Sequence, residues 1–375
     1  MTEREAYIAL NMVQDIGAVT VENGIAALGS AVAFFSAGSA RLASVKGIGR
    51  NRADHFAQAF ASVDWQDEMA RAAESSVSFL TPVDAAYPPL LRRIYNPPLA
   101  LYIVGDPAAL SCACLAMIGT RAPTAYGRAM AKSFAFQLAQ AGIVIVSGLA
   151  RGIDAECHAA ALLAGGRTVA VIGSALDRLY PPENRNLARR IAKSGGAVIT
   201  EYPFGRQADR QTFPMRNRII SGLSSAVLAV EAGATSGTLI TCDHALEQGR
   251  SVLAIPGRID NPAAKGCHKI IKDGARLVET PEEVLDELQS LPDSMAPRVT
   301  AGVQPETAPS PAPKPDLDET EVKILAALGT EEMTPDELLA ASGLAPHVLG
   351  SRLISLEIKS QIERVGAQAV RRRRI

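Results

Sequence analysis

Short apolar runs alternate with longer amphipathic stretches through the middle of the chain. Glycine or polar residues bound each run, as they bound buried strands, and the stretches between the runs have helical periodicity. In one stretch Met130, Phe134 and Leu138 recur every four residues, and Gly142 ends the helix. This alternation predicts an α/β fold over residues 80–290: a Rossmann-like, mainly parallel sheet with helices on both faces. The predicted strands are LALYIV (99–104), LAMIG (115–119), IVIVSG (143–148), TVAVIG (168–173), AVIT (197–200), AVLAVE (226–231) and SVLAIPG (251–257).

The N-terminal segment, residues 1–75, has a helical pattern throughout. A helix is expected to end near Val45, and Gly47 with Gly49 forms a tight turn into the next helix. The pattern resembles a helix-hairpin-helix or SAM-like domain, whose turn amides can meet a DNA phosphate; a purely structural turn is the alternative. One face of the second helix is predicted to carry Ala53, Phe56, Ala57 and Phe60.

A change of composition separates the C-terminal part of the chain. Residues 291–316 contain seven prolines, a density that predicts an extended linker. Residues 317–375 indicate three short helices and a hairpin, which together form a winged-helix-like domain. Thr334 is the expected N-cap of the second helix. Gly366 with Ala367 is the expected turn of the hairpin, and Arg371 to Arg374 follow it.

Composition narrows the class of protein. The chain of 375 residues is 47% hydrophobic but 5% aromatic, which suits helices packed on a parallel sheet and argues against disorder. No window of about 18 consecutive apolar residues predicts a transmembrane helix, and MTEREAYIAL lacks the order of a signal peptide. The five scattered cysteines do not suggest a disulfide framework. A cytoplasmic protein without membrane contact is therefore expected.

The net charge of −1 conceals an uneven distribution of charged residues. Residues 115–280 contain 20 Lys and Arg against 12 Asp and Glu, whereas the rest of the chain contains 18 against 27. A basic centre between acidic ends predicts an anion-binding surface on the sheet domain. Salt bridging within the domain is the alternative.

Candidate chemistry gathers where the predicted strands end. Ligands of open α/β sheets bind beyond the carboxyl ends of the strands, where helix N-termini offer free amides. Five of these junctions are rich in glycine, arginine or hydroxyl groups, and together they predict phosphate binding. Asp154 is the expected N-cap of the helix after the second junction. The junctions are 119–121, 147–154, 173–185, 213–218 and 233–238.

The usual signatures of nucleotide and metal chemistry are missing. The chain has no GxxxxGK[ST] motif, and no predicted strand leads into GxGxxG with an acidic partner downstream. No cysteine or histidine group has the spacing of zinc ligands. Asp177 and Glu183 are expected to hold their loop or to pair with Arg178 and Arg185. His158 and His244 fall in apolar helices, where they are expected to be packed or bonded to a partner. We therefore expect no cofactor, no metal and no catalytic residue.

Seven motifs, in order, resemble those of the DNA-processing protein A family, also called DprA or Smf. The resemblance is dense over about residues 80–290, and the flanking regions fit the family's three-part architecture. It implies a homodimer that binds single-stranded DNA, protects it and loads the RecA recombinase in natural transformation, without enzymatic turnover. The motifs are GTRAPTAYG, VSGLARGIDAECHAAAL, TVAVIGSALDRLYPPEN, ITEYPFG, FPMRNRIISGLS, GTLITCDHALEQGRSVLAIPG and GCHKIIKDGA.

The resemblance also implies which residues bind DNA. Arg121 matches an arginine that contacts DNA phosphate, and the ring of Tyr180 is placed to stack on a base. Arg216 and Arg218 are each open to a second role, that of buttressing the site. A cationic groove with aromatic platforms is the general way of binding single strands without sequence preference. The implied nucleic-acid-binding residues are Gly119, Arg121, Gly148, Arg151, Gly152, Arg178, Tyr180, Asn184, Arg216, Asn217, Arg218, Lys265 and Lys269.

The rival interpretation is a nucleotide phosphoribohydrolase of the lysine-decarboxylase-like family. Those enzymes share the Gly-Ser/Thr-Arg start and follow a late strand with PGGxGTxxE, whose glutamate serves the reaction. The corresponding stretch here is EAGATSGTLITCD, with Thr241 at the position of that glutamate. A DNA-binding or partner-docking protein without recombinase loading is a third possibility that the sequence leaves open.

Overall fold

The computed structural model describes residues 1–291, 318–328, 333–358, 361–365 and 369–372. The chain divides into two compact units, Met1–Gly302 and Val303–Ile375. Almost all of the predicted linker lies outside the described residues, and so do the predicted turn at Gly366 and Ala367 and the last two of the four arginines.

The first unit begins with six helices. The predicted pair is present, although its first helix ends at Leu42 rather than near Val45. Gly47 has a φ of +83°, a left-handed conformation that suits glycine. Ala53, Phe56 and Phe60 are buried on one face of the second helix, and Ala57 is half-buried. The six helices are α1 (Glu3–Asn11), α2 (Ala18–Leu28), α3 (Ala31–Phe35), α4 (Ser39–Leu42), α5 (Arg50–Ser62) and α6 (Trp65–Glu74).

These helices have a core of their own around Phe34 and Phe56. They are also hydrogen-bonded to the sheet region that follows. The side-chain amide of Asn11 donates to the carbonyl oxygen of Glu201 at 2.8 Å. Arg4 donates to the carbonyl oxygen of Phe79 at 2.7 Å. The helical segment and the sheet are therefore parts of one compact unit.

A nine-stranded sheet forms the centre of the first unit. Its order is β1-β2-β6-β5-β4-β3-β7-β8-β9, and the neighbours from β6 to β9 are parallel. β2 is antiparallel to β6, and β1 to β2, so one edge departs from the parallel pattern. All seven predicted strands are present, and β1 and β9 are additional. The strands are β1 (Ser78–Leu80), β2 (Leu101–Gly105), β3 (Cys114–Gly119), β4 (Val144–Ser147), β5 (Thr168–Val171), β6 (Ala197–Thr200), β7 (Ala226–Glu231), β8 (Ser251–Ala254) and β9 (Arg276–Leu277).

Helices cover both faces of this sheet. Ala116 and Ile118 of β3 belong to one buried cluster, whereas Leu115 and Met117 belong to another that contains Phe134. A strand buried on both faces needs apolar residues at every position, which explains the continuous runs in the sequence. The helices are α7 (Pro89–Arg92), α8 (Ala125–Gln140), α9 (Ile153–Leu163), α10 (Arg185–Lys193), α11 (Thr212–Leu223), α12 (Thr238–Glu247), α13 (Lys265–Lys272) and α14 (Pro281–Ser290).

The described residues of the second unit form three helices and a pair of antiparallel strands. Its core includes Ile324, Leu338, Leu353 and Val370. Thr334 is the N-cap of the second helix, as predicted, and its hydroxyl accepts a hydrogen bond from the amide of Glu337. The elements are α15 (Glu319–Leu328), α16 (Pro335–Ser342), α17 (Pro346–Ile358), β10 (Ile362–Val365) and β11 (Ala369–Arg372).

Within the described parts of both units, no helix combines the length and the apolar character that a membrane crossing requires.

Candidate nucleic-acid interface

A cavity of about 510 Å³ opens at the carboxyl edge of the sheet, beside β3 and β7. The chain lays down β4, β5 and β6 on one side of β3 and then returns to place β7 on the other side. Ligands of open α/β sheets bind at such a switch point. The lining includes Gly119 at the end of β3, the segment Ser236–Thr238 at the start of α12, and the residues Arg121, Arg210, Phe213, Arg216 and Asn217.

Arg121 places a cation beside two aromatic rings at the rim of the cavity. Its guanidinium lies 4.9 Å from the centroid of the Phe213 ring. The centroids of Phe213 and Tyr180 are 5.9 Å apart, and the side chain of Tyr180 is 41% exposed. A fork of donors suits phosphate oxygens, and exposed rings suit nucleobases. The rim therefore combines the two kinds of group that single-stranded nucleic acids require.

The loop that carries Arg121 is held at both ends by Glu231. The amide of Thr120 donates to the Glu231 carbonyl oxygen at 2.8 Å. The Thr124 amide and hydroxyl donate to the Glu231 carboxylate at 2.8 Å and 2.6 Å. Thr124 is also the N-cap of α8. This buried carboxylate thereby fixes the position from which Arg121 emerges.

Arg216 provides a buried cation at the inner wall of the cavity. It is 4% exposed, and its Nη1 donates to the carbonyl oxygens of Gly148, at 2.6 Å, and Val171. The guanidinium fits only because residue 148 lacks a side chain, since a Cβ there would lie 2.6 Å from Nη1 and Nη2. Burial lowers the pKa of Arg216 to about 10, so the group stays charged at neutral pH.

The other two nitrogens of the Arg216 guanidinium, Nε and Nη2, differ in their hydrogen bonding. Nε donates to the Asn217 side chain at 3.2 Å. Nη2 has no hydrogen-bond partner among the described residues, and none of their carboxylates forms an ion pair with Arg216. A buried charge is costly unless it is paired. The buried carboxylate of Asp154, in the same cavity wall, offsets part of this charge, because Asp154 raises the pKa of Arg216 and Arg216 lowers that of Asp154.

Asp154 is not the N-cap of α9, so that sequence prediction is wrong. The N-cap is Gly152, with a φ of +78° that suits glycine. Asp154 lies inside the helix, and its carboxylate accepts hydrogen bonds from the amides of Gly148 at 3.1 Å and Ala150 at 3.3 Å. Burial raises its pKa. Its function in the fold is to hold the loop between β4 and α9 against the cavity.

Two side chains join this loop to the loop after β5. Asn184 donates to the carbonyl oxygens of Leu149 at 2.9 Å and Ala150 at 3.3 Å. Arg151 forms an exposed ion pair with Glu183, which raises the pKa of Arg151 and lowers that of Glu183. Glu183 therefore pairs with Arg151 rather than with an arginine of its own loop.

Several of the predicted binding residues lie away from the cavity lining. Arg178 is exposed, with Nε 3.8 Å from Asp177. Arg218 is buried and ion-paired with Glu201 at 2.6 Å. Lys265 donates to the carbonyl oxygen of Ile259. Lys269 is exposed on α13. Of the predicted set, the cavity and the narrow slot beside it bring together Gly119, Arg121, Gly148, Arg151, Tyr180, Arg216 and Asn217.

Sequence reasoning missed Arg210 as a lining residue. Its signal is visible afterwards: it is a basic residue three positions before Phe213, in the segment that leads into α11. The junction 233–238, one of the five predicted to bind phosphate, contributes Ser236, Gly237 and Thr238 to the lining.

His158 and the cysteines belong to the packing of the fold rather than to the cavity lining. His158 is buried, with Nδ1 2.6 Å from the Thr168 hydroxyl oxygen, and burial lowers its pKa to about 3. All five cysteines are free thiols. No cluster of three or more metal-ligating side chains occurs among the residues that the structure describes.

The mainly parallel sheet, with helices on both faces and an arginine-lined cavity at its switch point, defines a Rossmann-like α/β protein. A family model described as DNA recombination-mediator protein A matches residues 78–289, and one for the DprA winged helix domain matches residues 308–368. The chain therefore belongs to the DNA recombination-mediator protein A family, the DprA/Smf family. The second match identifies the C-terminal unit as a winged helix.

Individual relatives agree with this assignment. Protein Smf of Escherichia coli is 41% identical over 302 residues, which cover 79% of this chain and 78% of that protein. DNA processing protein DprA of Bacillus subtilis is 44% identical over 203 residues, or 54% of this chain and 68% of that protein.

Two solved structures of the family are also similar. The structure of DprA from Streptococcus pneumoniae has a TM-score of 0.66 at 34% identity, covering 76% of this chain and 98% of that one. The structure of DprA from Helicobacter pylori has a TM-score of 0.52 at 28% identity, covering 57% and 97%. That second structure concerns the single-stranded DNA binding mode of the Helicobacter pylori protein.

Proposed function

We propose that the protein binds single-stranded DNA in the cavity at the switch point. Arg121, Arg210 and Arg216 hold phosphate groups, and Tyr180 and Phe213 offer faces to the bases. The observation that carries the proposal is the buried guanidinium of Arg216, which lines the cavity and keeps Nη2 without a hydrogen-bond partner among the described residues. The single-stranded DNA binding mode described for the Helicobacter pylori protein supports the same ligand class.

The finer function concerns recombination. We infer that the bound strand is protected and passed to the RecA recombinase during natural transformation, by a homodimer. The family's description as a recombination mediator supports this role. The test is strand exchange by RecA on DNA coated with a single-strand-binding protein. Addition of the protein should shorten the lag, and Arg121→Ala should not.

We also infer that the protein acts by binding rather than by catalysis. The phosphoribohydrolase alternative needs a glutamate where Thr241 lies, and Thr241 is buried in the cavity wall. The acidic residue of that wall, Asp154, is committed to two loop amides. Incubation with nucleoside monophosphates should yield no free base. Release of base that Asp154→Asn abolishes would favour the enzyme.

The deciding experiment is a binding titration with fluorescent oligothymidylate and with a duplex of equal length. Each is repeated at several salt concentrations. Phosphate contacts release counterions, so the single-strand affinity should fall linearly on a log–log plot, with a slope of about −0.7 per contacted phosphate. Equal affinity for the duplex, or no binding at low salt, would contradict the proposal.

A further inference from the structure

Helix α10 presents a basic surface to solvent just outside the cavity. Four of its nine residues are Arg or Lys, and none is acidic. Ala188 and Ile191 are its buried residues, so the cations lie on the remaining surface. Arg185, Arg189 and Lys193 are exposed and recur every four residues. Positions at that spacing share one side of a helix, and we call these three residues the α10 row.

The α10 row has no ionic partner among the described residues. None of its three cations forms an ion pair with a described carboxylate. Other exposed arginines of this unit do form such pairs, for example Arg206 with Asp209 at 2.6 Å and Arg258 with Asp260 at 2.9 Å. Like charges four residues apart destabilise a helix. The row therefore maintains a repulsion that a bound polyanion would relieve.

The row begins beside the narrow slot that adjoins the cavity. Arg185 directly follows Asn184, whose side-chain amide donates to the carbonyl oxygens of Leu149 and Ala150. Ala150 lines both the cavity and the slot, and Tyr180 lines the slot from the loop that leads into α10. A strand that leaves the cavity past the ring of Tyr180 therefore meets Arg185 first and then the rest of the row.

The spacing of the row suits a nucleic-acid backbone. Four residues of an α-helix rise about 6 Å. This rise is close to the separation of adjacent phosphates in an extended single strand, so each cation of the row can contact a successive phosphate. A line of cations that continues from exposed aromatic rings is typical of surfaces that bind single strands without sequence preference.

We propose that the α10 row carries the strand out of the cavity by binding successive phosphates beyond Tyr180. The inference rests on the proposed function and extends its site along the outside of the sheet domain. The partner is the phosphate backbone of the same single strand. Because the row lies outside the linings of the cavity and the slot, it serves only strands long enough to reach it.

The test compares two probes, a thymidylate tetramer that the cavity alone accommodates and a long oligothymidylate. The long probe has about 30 residues, well beyond the roughly 4–16 nucleotides that one OB-fold domain covers. The triple variant Arg185→Gln, Arg189→Gln, Lys193→Gln should bind the tetramer like the wild type. Its affinity for the long probe at low salt should fall at least tenfold. Its salt slope should decrease by about 2, which is about 0.7 for each of three lost phosphate contacts.

The triple variant should fold, because all three residues are exposed. The midpoint of its thermal unfolding should hold or rise, since the substitutions remove repulsion between like charges. Thermal unfolding measured beside each titration therefore separates a lost contact from a lost fold.

Arg190 provides a matched control within the same helix. It is exposed and adjacent to Arg189, but it is turned about 100° away from it and lies off the row. Arg189→Glu should weaken binding of the long probe several times more than Arg190→Glu does, although both substitutions change the charge equally. Equal losses would overturn the inference, because they would reflect net charge alone.

Two other results would also overturn it. One is a triple variant with the wild-type affinity and salt slope for the long probe. The other is an equal relative loss for the tetramer and the long probe, because the loss would then arise in the cavity. Failure of the proposed function is distinguishable, since the wild type would then bind neither probe.

Discussion

Arg216 and Arg218, two residues apart on α11, serve opposite sides of the helix. Arg216 lies against the Gly148 carbonyl oxygen in the cavity wall, whereas Arg218 forms an ion pair with Glu201 at 2.6 Å. A helix turns about 100° per residue, so neighbours at this spacing face apart. The basic motif around them therefore divides into one arginine that lines the cavity and one that is ion-paired away from it.

The first prediction separates these two roles. Arg216→Met should abolish most single-strand binding, because it removes the buried cation from the cavity wall. Arg218→Met should leave Glu201 as an unpaired, largely buried charge and lower the free energy of unfolding by about 3–5 kcal/mol. Urea unfolding and oligothymidylate titration of both variants measure this contrast. Similar binding losses in the two folded variants would contradict it.

The second prediction concerns the rim. Arg121→Ala should weaken single-strand binding by about 1.5–3 kcal/mol, the worth of a charge-assisted hydrogen bond. The salt slope should decrease by about 0.7, because one phosphate contact is lost. Arg121 is exposed, so the unfolding transition should be unchanged. Arg190→Ala is the control, since it removes an exposed arginine of α10 outside the cavity lining.

The third prediction concerns the loop that presents Arg121. Glu231→Ala leaves the Thr124 amide and hydroxyl without their acceptor, and buried unsatisfied donors cost about 1–3 kcal/mol. Stability should fall by that amount, and DNA affinity should fall with it, because the loop is freed at the end near α8. Glu231→Gln retains an acceptor and should lose less of both. Urea unfolding and oligothymidylate binding of each variant test this. A folded Glu231→Ala protein that binds with wild-type affinity would contradict the prediction, because Glu231 would then serve stability alone.

Much of this arrangement follows from the sequence. The runs that became β3 to β8 are apolar at most positions because both faces of the sheet are covered, and that pattern is readable without coordinates. The antiparallel direction of β2 is not, since apolar content carries no strand direction. Asp154 was misplaced because an acidic residue near a helix start looks like a cap, whereas its carboxylate reaches back to the amides of Gly148 and Ala150.

Contacts between separate loops could not be predicted from the sequence. The sequence gives no sign that Glu183 pairs with Arg151, because the two residues come from separate junctions that meet only in the folded sheet. The separation of Arg216 from Arg218, in contrast, is predictable from helical periodicity alone.

The fourth prediction is a pH dependence of stability from His158. Burial lowers its pKa in the folded protein from 6.5 to about 3. Between those values the unfolded chain binds the proton and the folded one does not, so stability falls as the pH drops below 6.5. The slope has an upper limit of about 1.4 kcal/mol per pH unit for one proton. Urea unfolding between pH 4 and 7 should show a flatter profile for His158→Gln than for the wild type.

The last prediction concerns the C-terminal winged helix. A fragment of residues 1–291 should fold, because the buried clusters of the first unit draw on residues within that range. It should also bind oligothymidylate at low salt, since the whole cavity lining lies between Ile118 and Thr241. The winged helix carries basic residues at its end, and these add a non-specific electrostatic contribution that fades with salt. The full chain should therefore show a steeper salt slope than the fragment, and the two affinities should converge as salt rises. A folded fragment that fails to bind at low salt would place the main site in the winged helix and reverse the assignment of the cavity.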